Sequence, residues 1–294
     1  MTKFFRDNLL DLSRAYDFLF RQWESAWSQR WQANLLVAVF LAALFVIELS
    51  RQNVLPEFLH IPTNHFHSVK LVFELLLTLE VLSLVFNLAS SIANSMGKQF
   101  EIFSLILLRQ SFKEFVHFKE PLAWEQISHS VPYIISDSLG ALLIFGLLGV
   151  FYACQKHRKI TENVVEQENF VAAKKILALF LLAAFIIVGL HDARLWLAGG
   201  EIYKFFDVFY TILIFSDILI VIISLRYNST YNIVFRNSGF AVATVILRLA
   251  LAAPPFANVA LGVSAIFLGI GLTFVYNKFS LLPSHSETTV TELN

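Results

Sequence analysis

The strongest constraint on this chain is a succession of apolar runs, each close to the 20 or so residues an α-helix needs to cross a hydrocarbon core about 30 Å thick. They fall at 33–49, 69–93, 99–118, 131–153, 174–190, 205–225, 238–252 and 258–276. With 57% hydrophobic and only 15% charged residues, the chain lies outside the range of soluble domains, where charged residues approach a quarter. The expected fold is an all-α polytopic membrane protein with about eight transmembrane helices.

The runs at 99–118 and 238–252 contain Arg109 and Arg248, and an arginine at the centre of an isolated span costs about 2.5–3.5 kcal/mol. The distribution of lysine and arginine nevertheless favours counting both. With eight spans and both termini inside, the inner segments hold Lys3, Arg6, Arg14, Arg21, Arg30, Lys98, Lys156, Arg158, Lys159, Lys174, Lys175, Arg226, Arg236 and Lys278. Only Arg51, Lys70, Lys113, Lys119, Arg194 and Lys204 fall outside. Six spans would export the basic stretch from Lys156 to Lys175, against the positive-inside rule.

An internal repeat points the same way. LVAVFLAALFVI, ending at Ile47, resembles ILALFLLAAFII, ending at Ile187. Phe73, Glu74, Thr78 and Ser83 align with Phe206, Asp207, Thr211 and Ser216, and ILLR ending at Arg109 aligns with VILR ending at Arg248. Gly140, Ile144, Phe145, Gly149 and Lys156 align with Gly262, Ile266, Phe267, Gly271 and Lys278. Two four-helix copies would share one orientation, since each crosses an even number of times. The expected organisation is an amphipathic helix at 1–32, a first repeat at 33–156, a basic linker at 157–173, a second repeat at 174–279 and a polar tail at 280–294. In the leading segment Phe4, Phe5, Leu9, Leu12, Tyr16, Phe20, Trp23, Trp27 and Trp31 recur near helical spacing. Such a helix lies on the membrane surface or packs on the protein's own inner face.

Ionisable residues inside apolar spans are expensive and commonly functional. Glu80, Ser83, Asn87 and Asn94 recur every three to four residues along the second run and, with Arg109, are the expected transport path. Glu74, Asp137, Asp207, Asp217 and Arg248 are expected to form an outer vestibule or intramembrane ion pairs, with Asp207 the acid expected to neutralise Arg248. His60, His65 and His67 are a weak metal-binding or pH-sensing group, because they lack cysteine partners and a fixed ligand spacing.

Cys154 stands alone, which excludes an intrachain disulfide and a multi-cysteine metal site. No phosphate loop, hydrolase elbow or paired catalytic motif is present, so neither an enzyme nor a bound cofactor is expected. Zero net charge offers nothing to nucleic acid. A voltage sensor needs several arginines on one helix, and each copy has one. The expected function is movement of a small ion across the bilayer by a channel-like or carrier-like protein. A non-catalytic scaffold or subunit of a larger complex is the alternative. The lipid bilayer, the ion and a second copy of the chain are the expected partners, and the bacterial cytoplasmic membrane is the expected location.

Overall fold

A computed structural model describes residues 3–54, 62–89, 92–118, 120–155, 164–197, 205–227 and 231–279. All regular structure among them is helical: α1 Lys3–Glu24, α2 Ala26–Arg51, α3 Phe66–Asn87, α4 Ile92–Gln110, a 3-10 segment Ser111–His117, α5 Trp124–Ile127, α6 Val131–Cys154, α7 Val164–Leu197, α8 Phe205–Tyr227, α9 Tyr231–Ala252 and α10 Ala257–Phe279. The linker residues 156–163 and the tail 280–294 lie outside the described residues.

Six segments are long and apolar enough to cross a membrane: Ala26–Arg51, Val131–Cys154, Glu168–Asp192, Val208–Leu225, Tyr231–Ala252 and Ala257–Lys278. The architecture is that of a polytopic helical membrane protein. Side chains such as Phe145, Phe180, Phe215, Ile222, Phe267 and Phe274 point outward and exposed, an arrangement suited to lipid rather than to water. The count falls short of eight because α3 carries Lys70, Glu74 and Glu80, and α4 carries Lys98, Glu101 and Arg109.

Helix contacts trace two rings that share one wall. One ring runs α3, α4, α9, α8, α7 and back to α3; the other runs α4, α6, α10 and α9. Each has its own apolar core. Val81, Val85, Phe170, Leu181, Phe209 and Leu213 fill the first, and Met96, Phe100, Phe103, Ile144, Phe151, Leu247 and Ile266 fill the second. The helix with the most polar sequence of the core set, α4, is therefore central and touches α3, α6, α9 and α10.

The leading segment divides differently from the expected 1–32 unit. Ser25 ends α1 and caps α2, its side chain accepting from the Ser28 N–H at 3.1 Å. Residues 26–32 are thus the first turns of a helix that continues into the membrane segment. Of the two placements open to the amphipathic helix, α1 takes the one against the protein: Tyr16, Phe20 and Trp23 close on Phe86. Tyr16 donates to the Phe86 carbonyl, and Lys175 reaches Asp17 at 2.7 Å. Burial first, then Asp17, pushes the Tyr16 phenol up, which keeps it a donor. Trp27 and Trp31 remain exposed, in keeping with a headgroup position.

Candidate functional site

The arginine aligned with Arg248, Arg109, sits at the end of α4 and forms an ion pair with Glu80 of α3. Only about 10 Å³ of space remains beside that pair, among Phe73, Leu77, Gln110 and Lys113. Below it the expected polar stripe is occupied by the protein itself. Ser83 accepts from the Trp23 indole at 3.0 Å, and Asn87 donates to the Ser83 carbonyl at 2.8 Å. A polar hollow of about 240 Å³ survives there, between Phe20, Trp23, Glu24, Gln29, Gln32, Ser83 and Asn87. The stripe is interrupted by α1 and by the ion pair rather than continuous. The Asn94 side chain lies outside the described residues.

Among the described residues the acid beside Arg248 is Asp217. Arg248 approaches Asp217, with Nε 3.5 Å from Oδ2, and the Asp207 side chain lies outside the described residues. The reason is the face that α8 turns inward: Phe209, Leu213, Asp217, Ile220 and Ser224 are all buried and recur at three- and four-residue steps. Arg248 is 1% exposed and Asp217 5%. Even so, Arg248 Nε and Nη2 and Asp217 Oδ2 find no hydrogen-bond partner among the described residues.

Beside this pair the α3–α4–α9–α8–α7 ring holds a half-open pocket with about 40 Å³ of room for water. Ser95 and Gln99 of α4, Lys174 of α7, Asp217 of α8 and Asn237 and Thr244 of α9 supply its polar lining. All six side chains are buried, and Gln99 Oε1 has no partner among the described residues. Lys174, 2% exposed, reads in the sequence as a loop charge next to Lys175. Only the early start of α7, at Val164, carries it into the ring. Gln99 and Asn237 gave no signal either, because polar side chains near helix ends are ordinary.

The acids expected to share an outer vestibule serve separate contacts. Glu74 lies 3.8 Å from Lys70 on its own helix, whereas Asp137 is buried and accepts from Asn258 of α10 at 2.9 Å.

The histidine reading also changes. His60 lies outside the described residues. His65 precedes α3 with helical backbone angles, and His67 is inside that helix, so the two rings do not share the face of an extended loop. His67 Nδ1 contacts the Asn64 carbonyl at 3.2 Å. Among the described residues no group of three His, Cys, Asp or Glu is arranged to hold a metal. Instead His65 bridges two carboxylates: Nε2 lies 3.3 Å from Glu48 of α2, and Nδ1 lies 3.1 Å from Glu120 in the segment before α6. Arg51 Nη1 donates to the same Glu120 at 3.3 Å.

The His65 contacts, with Arg51 beyond, hold the Glu120 carboxyl below the usual carboxylate range. Because the folded-state value is depressed, this stabilisation is present above the unfolded value near 4.3 and is lost as pH falls through the folded value. Replacing Glu120 by glutamine is therefore expected to lower the thermal midpoint in detergent by about 1–3 °C near pH 6. The difference from wild type should shrink and then vanish as pH falls through the depressed folded-state value. A pH-independent difference would contradict this.

No protein-family model, curated protein or solved structure matches this chain.

Proposed function

We propose that this protein moves a small ion across the bilayer, using ionisable side chains held at depth in two fused four-helix copies that cross the membrane about eight times. The observation that carries the reading is the small half-open pocket beside Asp217 and Arg248, where six buried polar side chains, two of them the ionisable Lys174 and Asp217, meet in an otherwise apolar lining. A bundle selected only for stability gains nothing from such groups, because apolar residues of similar volume replace buried ion pairs at little or no cost.

Three features support the two-copy, eight-span part. The acid of α3 pairs with the arginine of α4 as the acid of α8 pairs with the arginine of α9. The aligned glycines behave alike: Gly140 and Gly262 sit where a Cβ would collide with Val259 and with Phe103, whereas Gly149 and Gly271 face open space. Finally, α4 packs among α6, α9 and α10, three helices of membrane length and apolarity, so its charges share their depth. Glu80 and Arg109 are then the first copy's ion pair, with Glu80 one helical turn out of register with Asp217, and Ser83 and Asn87 lie on the inner side of that copy.

Purified protein in proteoliposomes is expected to carry ion current or flux, and Glu80→Gln and Asp217→Asn are each expected to reduce it at least about tenfold, equivalent to 1.4 kcal/mol or more. Absence of flux under every gradient and voltage would contradict the reading. The scaffold alternative draws on the same ion pairs, since each arginine neutralises an acid on the neighbouring helix; under it both variants alter stability and no ion moves.

A further inference from the structure

We infer that the ion handled at the cavity is the proton, relayed between Lys174 and Asp217 through cavity water. This rests on the transport reading above and gives it a substrate.

Size is the first consideration. A cavity needs about 10–15 Å³ to admit one water, so the 40 Å³ here accommodates roughly three. A metal cation keeping an octahedral shell of about six waters needs roughly twice that space, so it would enter the pocket only by shedding part of its shell. A bare ion would fit by volume but not by charge. A bare cation would meet the Lys174 side chain and the Arg248 guanidinium behind Asp217; a bare halide would meet the Asp217 carboxylate and the acceptor oxygen of Gln99. Water suits both kinds of neighbour, because it donates to Asp217 Oδ2 and Gln99 Oε1 and accepts from Lys174 and Ser95.

Chemistry is the second. Across the ring the facing charged groups are Lys174 on α7, Asp217 on α8 and Arg248 on α9, while α4 contributes Ser95 and Gln99 and α3 is apolar there at Leu88. Lysine and aspartate exchange protons, whereas arginine keeps its own. A proton arriving at the Lys174 amine makes the ammonium. The ammonium returns to amine by giving a proton to a cavity water, and the resulting hydronium gives one to the Asp217 carboxylate, leaving water and a carboxylic acid. Loss of that proton restores the carboxylate, and Arg248 remains charged throughout as its counter-ion.

Position is the third. Asp217 lies 12 residues from Phe205 and 10 from Tyr227, the ends of α8, or about 18 Å and 15 Å along the helix. It is at mid-depth. Lys174 lies six residues into the apolar segment Glu168–Asp192, about 9 Å from its start, so the relay joins mid-membrane to the face where α7 enters.

Load proteoliposomes with a pH-sensitive dye and impose, in separate trials, a proton gradient at equal salt and gradients of sodium, potassium and chloride at equal pH. Wild type is expected to dissipate only the proton gradient; Asp217→Asn should slow this at least tenfold and Lys174→Met comparably, with Asp217→Glu retaining most of it. Passage of sodium, potassium or chloride at constant pH would overturn the proton assignment and leave the transport reading standing. Proton flux unchanged by Asp217→Asn and Lys174→Met would overturn the relay. No flux of any ion would overturn the transport reading and the relay together, and because wild type supplies that result, it does not depend on how the variants fold.

Discussion

Replacing Arg248 by methionine is expected to lower the stability of the folded protein by about 3–5 kcal/mol, the loss typical when one partner of a buried ion pair is removed. The magnitude follows from position: the guanidinium is 1% exposed and Asp217 5%, so the remaining carboxylate keeps only the few waters of the adjoining pocket and loses its counter-charge. The double variant Asp217→Leu with Arg248→Met separates the two explanations for the pair. Substituting both partners with apolar groups is frequently neutral or stabilising, and the double variant should recover at least half of the single variant's loss in denaturant or thermal unfolding in detergent. Under the transport reading that recovered protein is stable yet inactive in flux. If the single substitution leaves stability within about 0.5 kcal/mol of wild type, the pair is not the buried contact described here.

The parts of this fold that were legible in the sequence are those where a residue is expensive. Arg109 and Arg248 announced themselves because arginine in an apolar run needs an acid nearby, and both have one. Which acid Arg248 takes was not legible. Helix α8 is apolar around its circumference, so hydrophobic periodicity cannot tell which face is buried, and Asp207 and Asp217 compete on equal terms until packing selects the face bearing Leu213, Asp217 and Ile220.

Lys174 failed for a different reason. Its neighbour Lys175 is half-buried and binds Asp17 of α1, yet one residue of helical rotation, about 100°, turns Lys174 into the ring. The N-terminal helix was legible as amphipathic, but a protein surface and a membrane surface ask for the same stripe. Tyr16 and Trp23, whose polar atoms bond Phe86 and Ser83, resolve that ambiguity. The spacing of the polar stripe on α3 was legible, but its cover was not, because the tryptophan that donates to Ser83 comes from about 60 residues earlier in the chain.

Both the transport reading and the proton relay require α3 and α4 to lie within the bilayer, since α4 supplies Ser95 and Gln99 to the cavity and Arg109 to the first ion pair. Their charges are what separates six crossings from eight, and the two counts put the turn between α3 and α4 on opposite sides of the membrane. Lys98 is the place to ask. It is exposed near the start of α4 and, among the described residues, engaged in a surface pair with Glu101 at 2.6 Å, so a cysteine there disturbs little. With Cys154, the one native cysteine, changed to alanine, labelling by a membrane-impermeant maleimide from each side in turn gives an all-or-none answer. The account predicts that the cysteine at position 98 reacts only from the side that carries the N-terminus. Reaction only from the opposite side would leave α3 and α4 outside the bilayer, and would contradict the eight-span architecture and the buried ion site built on it.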